Sequence, residues 1–287
     1  MFLLRTAYCN TSPMRLLSPL TALMALFALQ TPAAGGETPW QDIAPQASAR
    51  LVSSDVLKDG RTMLALELSM PETTWTYWRV PGETGIPLQL EFEGSKGVSA
   101  FEVKWPFPVR EVIYGFVDHI YRGDIVLPVE LSVQGERPFV AMQAVLGVCS
   151  DICVPVFANF ELELNLERRD RSQSLRINQA MARVPIPWDQ QTDIVEAVAF
   201  DQPNQRVLVR LSSPDVDFSS MILSTQNPSI VFGPPQKSQI EGVVSFPKLG
   251  ESGDDELYEL SYIISFMSAL GPYEIRQDAV SLADIGG

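Results

Sequence analysis

Period-two alternation of apolar and polar residues is the feature that most restricts this chain. Leu64, Leu66, Leu68 and Met70 alternate with Ala65, Glu67 and Ser69. Leu88, Leu90 and Phe92 alternate with Gln89, Glu91 and Glu93, and Phe160, Leu162, Leu164 and Leu166 with Asn159, Glu161, Glu163 and Asn165. Such segments bury one face and wet the other only as β-strands, because successive strand side chains point to opposite sides. Asp124 to Val133 reads as a further strand, and Pro128 within it implies an edge position or a bulge, since proline cannot donate to a ladder. Phe139 to Val148 is apolar on both faces apart from Gln143, which predicts a central strand that delivers the chain to Cys149.

The alternation stops after Glu167. From Arg168 to Val184, Leu175, Ile177, Ala180, Met181 and Val184 fall roughly on one helical face, and Pro185-Ile186-Pro187-Trp188 ends the helix. Strand-like segments then resume at Asp193–Phe200, Arg206–Leu211, Met221–Ser224, Ser229–Phe232 and Leu257–Phe266, and 251–256 reads as an exposed acidic loop. The expected fold class is all-β: a β-sandwich over 40–168, a helix and linker over 169–190, and a smaller β-sandwich-like domain over 191–287. A chain of 287 residues has room for both.

The N-terminus carries Arg5 and Arg15, an uncharged run from Leu16 to Leu29, and Thr31-Pro32-Ala33-Ala34. That order is the order of a secretory signal peptide, expected over 1–34 with periplasmic export. No later run is apolar for long enough to span a bilayer, so no membrane insertion of the mature chain is expected. Cleavage would take the net charge from −14 to −16, which argues against nucleic acid or an anionic membrane surface as a partner. It would also remove Cys9 and leave Cys149 and Cys153 as the cysteine pair.

Other chemistry is sparse. His119 is the one histidine, and a single histidine in a strand-rich segment reads as structural. The sequence has no glycine-rich phosphate loop and no zinc-ligand spacing. Attention falls on Cys149-Ser150-Asp151-Ile152-Cys153-Val154-Pro155, where three residues separate two thiols at the end of a strand. A disulfide closing so short a loop stabilises by only about 2 kcal/mol, against more than about 4 for a loop of roughly 100 residues. Reversible exchange suits this spacing, with one thiolate attacking a partner and its neighbour resolving the mixed disulfide. A structural staple and a Cu(I)-binding dithiolate of Cys149 and Cys153 are the alternatives. Asp151 between the thiols and the acidic chain should raise the thiol pKa, predicting a pair that is slow with small thiols and fast with a docked protein.

Three blocks resemble the N-terminal periplasmic domain of the DsbD/ScsB family of thiol–disulfide reductases. They are Thr76-Tyr77-Trp78-Arg79-Val80-Pro81-Gly82-Glu83-Thr84-Gly85; Glu111-Val112-Ile113-Tyr114-Gly115 running through Ile120-Tyr121-Arg122 to Leu127-Pro128-Val129; and the cysteine turn itself. The resemblance covers roughly 45–170. It implies an immunoglobulin-like fold and a cysteine couple that carries electrons from a membrane donor to a periplasmic thioredoxin-like protein, with no cofactor. It also implies that Cys153 forms the mixed disulfide under a displaceable cap. By position the cap falls to Ile113 and Tyr114, with Tyr77 and Trp78 packing nearby. Where some relatives place an aromatic cap this chain has Ile113, so either the shield is leakier or Tyr114 supplies the ring. Family members of full length continue into membrane and thioredoxin-like domains, which this chain lacks, so its reductant is expected to be a separate protein. The rival reading from another class is a binding or assembly module with a static disulfide, in cytochrome c biogenesis or in metal handling such as copper tolerance.

Overall fold

The computed structural model describes residues 36–135, 137–167, 171–189, 192–213, 216–250, 255–258 and 260–285. The expected signal segment 1–34, with Cys9, and residues 251–254 of the acidic run lie outside them. The described residues form one compact unit. Its first half holds β1 (Gln41–Ala44), β2 (Ala47–Ser53), β3 (Arg61–Ser69), β4 (Trp75–Gly82), β5 (Gln89–Glu91), β6 (Val98–Val103), β7 (Val109–Ile113), β8 (Phe116–Arg122), β9 (Ile125–Val133), β10 (Phe139–Cys149) and β11 (Cys153–Glu163). The helix α1 (Arg171–Met181) follows. The second half holds β12 (Ile186–Pro187), β13 (Val195–Asp201), β14 (Arg206–Leu211), β15 (Ile222–Ser224), β16 (Val231–Phe232), β17 (Gln236–Lys237), β18 (Val243–Leu249), β19 (Ser261–Ser268) and β20 (Gly271–Asp278).

Two sheets face each other in the first lobe, with strand orders β1-β2-β3-β9-β6 and β11-β10-β4-β8-β7; β5 adds to β10. The alternating leucines of β3 and the even-numbered residues of β10 from Val140 to Val148 fill the space between them, together with Trp78, Leu127, Leu131, Phe160 and Leu162. This is the all-β, immunoglobulin-like sandwich that the alternation and the family resemblance imply. Each fully buried Leu or Phe side chain stabilises it by about 1.5–3 kcal/mol.

Pro128 corrects one expectation. Strand β9 is not an edge strand, because β3 and β6 flank it. Proline is tolerated because it sits where the β6 ladder ends: Val103 opposes Val129, and the next residue, Lys104, donates its N–H to the Pro128 carbonyl at 2.8 Å. Only the return bond from the missing proline N–H is lost.

Helix α1 packs on the outer face of the first sheet, where Ile177 meets Val52 and Ala65. Leu175 is 61% exposed, so it does not join that face as the helical pattern suggests. Gln173 and Ser174 are buried instead, bonding to the Glu37 carboxylate and the Ser54 carbonyl. Local hydrogen bonding has displaced the apolar choice here.

The second lobe stacks β12-β20-β19-β15 against β13-β14-β18-β16, with β17 paired to β18. Its core contains Phe200, Val209, Met221, Phe232, Phe246, Tyr262 and Phe266. Neighbouring residues of one segment serve both lobes: Met221 lies in the second core and Ile222 in the first. Arg79, stacked 4.4 Å over Trp78, reaches Glu274 at 2.7 Å and Ser265 at 3.2 Å across the same junction.

His119 is structural. It is buried on β8, edge-on to Trp78, with Nδ1 3.0 Å from the Val80 carbonyl oxygen. Burial, helped by the nearby Arg110 and Arg79 charges and opposed by that hydrogen bond, lowers its pKa from 6.5 to about 4. The unfolded chain therefore binds this proton more readily than the folded one. Stability from His119 is complete above pH 6.5 and is lost as pH falls from 6.5 towards 4, by about 3 kcal/mol in all. Urea denaturation at pH 7 and pH 4.5 should show His119→Gln losing less stability than the wild type over that interval. Equal losses would refute this assignment.

Candidate redox site

The register of one hairpin builds the site. Strands β10 and β11 pair from Phe139↔Glu163 to Cys149↔Cys153, so the two cysteines are the last opposed residues before Ser150-Asp151-Ile152 turns the chain. They form a disulfide, with Cα atoms 4.1 Å apart. Strand parity places it on the outer face of the second sheet, because the even-numbered residues of β10 fill the core.

The two sulfurs have different surroundings. Cys149 is 1% exposed and belongs to a small cluster with Trp75, Tyr77 and Ile120, against which Ile113 packs. Trp75 lies directly across from Cys149 on β4 and from Arg122 on β8. Cys153 begins β11, an edge strand of its sheet, and is exposed, as are Asp151 and Ile152. A nucleophile must approach a disulfide sulfur in line with the S–S bond. Trp75 and Ile120 enclose Cys149, with Ile113 packed against them, whereas Cys153 is exposed.

Tyr77 is more than packing. Its hydroxyl is 3.1 Å from the Cys149 sulfur and 3.2 Å from that of Cys153. Burial pushes its pKa up, so the phenol keeps its proton and can donate. Two glycines make the slot for its ring. A β-carbon on Gly147 would lie 3.1 Å from the ring, and one on Gly85 only 2.6 Å. The Trp75 indole N–H is buried beside it.

The four residues expected to shield the pair divide evenly. Tyr77 meets both sulfurs, and Ile113 packs against the cluster that holds Cys149. Trp78 does not, since the strand pleat turns it into the main core. Tyr114 is 84% exposed at the tip of the β7–β8 hairpin. Tyr114 and Gly115 form the two-residue turn, both with positive φ (53° and 91°), and Ile113 pairs with Phe116 across it. Arg122 stacks 4.8 Å over Trp75 and pairs with Glu111 of β7 at 2.5 Å, which holds the Glu111 pKa down. Neither Glu111 nor Arg122 stands out as a site residue in the sequence.

Residues 41–165, which contain every residue of this site, match the family model described as "Thiol:disulfide interchange protein DsbD, N-terminal". The chain is also similar to the crystal structure of the N-terminal periplasmic domain of ScsB from Proteus mirabilis. The TM-score is 0.62 at 22% identity, over 86% of this chain and 99% of that one. Coverage of that extent takes in the second lobe as well as the DsbD-type sandwich. No curated protein matches the chain. Among the described residues no helix is long and apolar enough to cross a membrane, and no group of three or more potential metal ligands occurs.

Proposed function

We propose that this protein is a periplasmic thiol–disulfide exchange protein that takes electrons from a membrane donor and passes them to thioredoxin-like partners through Cys149 and Cys153. The observation that carries this reading is the asymmetry of the disulfide. One sulfur is exposed at a turn, and the other is walled in beside a protonated phenol. The match of 41–165 to the interchange family model supports it.

The exchange follows from that asymmetry. A partner thiolate attacks the Cys153 sulfur, forming an intermolecular S–S bond and breaking the Cys149–Cys153 bond. Cys149 leaves with the electron pair as a thiolate, and the Tyr77 O–H donates to it. A hydrogen bond to a charged acceptor is worth roughly 1.5–3 kcal/mol, which matters most at an otherwise apolar site. The partner's second thiolate then attacks the mixed disulfide and releases Cys153. This chain has gained two electrons and the partner is oxidised to its disulfide. The reverse sequence delivers the electrons onward.

Equilibration of the intact protein with glutathione buffers tests the reading. An exchanging couple should show a reduction potential near about −200 mV, whereas a value below roughly −300 mV marks a structural bond and would reject the proposal.

A further inference from the structure

The β7–β8 hairpin that brings Ile113 against the cysteines is held from two directions. From its own lobe, the Glu83 N–H donates to the Val117 carbonyl at 3.0 Å, and the Val117 N–H donates to the Glu83 carboxylate at 2.7 Å. From the second lobe it is held by Arg110, the second residue of β7, which donates to the Met221 carbonyl at 2.8 Å and to the Ser219 carbonyl at 2.7 Å. Those carbonyls lead directly into Ile222, whose side chain is embedded in the core of the first lobe. The acceptors are thus fixed by packing.

Strand β7 is the terminal strand of its sheet, bonded only to β8 on the sheet path. An edge strand of five residues is ordinarily among the easier parts of a fold to open. Arg110 supplies its other edge with a second attachment.

We infer that Arg110 is a positioning residue: by fastening the cap strand to the second lobe it keeps Ile113 against Cys149 and so confines attack to Cys153. The second lobe then serves the redox site without touching it. This deepens the exchange reading and takes its biological meaning from it. The physical content, that access to Cys149 depends on Arg110, is separately measurable.

The test uses the full chain carrying Cys153→Ser, so that Cys149 is the free thiol of the site, and follows alkylation by a small maleimide. Adding Arg110→Met, which keeps the aliphatic stem and removes the donors, should raise the Cys149 labelling rate about tenfold, the factor equivalent to roughly 1.4 kcal/mol of easier opening. Arg110→Lys, which keeps the charge but cannot span both carbonyls, should give a smaller increase. Arg79→Met removes a contact between the lobes that does not involve the cap strand and should leave labelling unchanged. A rate for Arg110→Met within about twofold of the parent would overturn the inference, and so would an equal rise in Arg79→Met, which would indicate general loosening. If Arg110→Met fails to fold, the lysine variant decides by the same criterion. None of these results depends on whether a protein partner exchanges with the pair, which the reduction potential tests on its own.

Discussion

A Cys153→Ser variant is expected to lose all exchange with a partner, whereas Cys149→Ser should still form a mixed disulfide with a partner disulfide but not carry the exchange to completion. The two substitutions remove the same bond but leave different thiols. In Cys149→Ser the remaining sulfur is at the exposed start of β11, where it can attack a partner disulfide, and with no second thiol beside it the mixed disulfide can only revert through the partner's freed thiol. In Cys153→Ser the remaining sulfur is Cys149, enclosed by Trp75, Tyr77, Ile120 and Ile113. Reagent reaches it only when the cover opens. Maleimide should label Cys153 about a hundredfold faster than Cys149, the ratio that a local opening cost of roughly 2.7 kcal/mol would produce. Comparable labelling rates, or partner adducts on Cys149 and not on Cys153, would contradict the assignment of Cys153 as the attacked sulfur.

The parts of this arrangement visible in the sequence are those carried by short-range pattern. Alternation in 64–70 and 160–164 reports buried strand faces directly. The run from Phe139 to Cys149, followed four residues later by Cys153, puts both thiols at a hairpin end by local pattern alone. The same periodicity contains a signal easily overlooked. In Trp75-Thr76-Tyr77-Trp78 the two aromatic neighbours at 77 and 78 must face opposite sides of the sheet, so both cannot cover the disulfide.

Contacts over long separations left no such trace. Tyr77 and Cys149 meet across 72 residues, and the glycines that admit the ring, Gly85 and Gly147, look like ordinary turn or strand glycines. Arg110 finds its acceptors 109 and 111 residues away, and they are backbone carbonyls, which have no residue signature. Strands β18 and β20 escaped recognition because Pro247 and Pro272 interrupt or open them and their polar residues are not strictly alternate. Leu175 and Pro128 show the converse, where a sound local rule yields to a buried hydrogen bond and to the end of a neighbouring strand.

Gly82→Ala should be the most damaging single substitution around the cap that leaves every functional group in place. Gly82 closes β4 at φ +101°, a conformation that disfavours any side chain. An added β-carbon would lie 2.3 Å from the Val117 carbonyl oxygen and 2.5 Å from the Asp118 Cα, both backbone atoms of the cap-bearing strand β8. Neither can move aside as a flexible side chain would. The combined overpacking and backbone strain should cost about 3–5 kcal/mol, read as a fall in the urea midpoint at unchanged slope. The damage should also reach the sulfurs. The segment Gly82-Glu83-Thr84 wraps Val117 and Asp118, with the Thr84 N–H and hydroxyl donating to the Asp118 carboxylate at 3.0 and 2.5 Å, and it delivers Gly85 onto the Tyr77 ring. Pushing this turn away from β8 frees the ring from its slot and withdraws the phenol from Cys149. Reduction of the disulfide by a docked dithiol partner should therefore slow in Gly82→Ala even under conditions where the variant is fully folded. A variant that loses stability yet exchanges at the wild-type rate would show that the Tyr77 hydroxyl contributes nothing to the leaving thiolate.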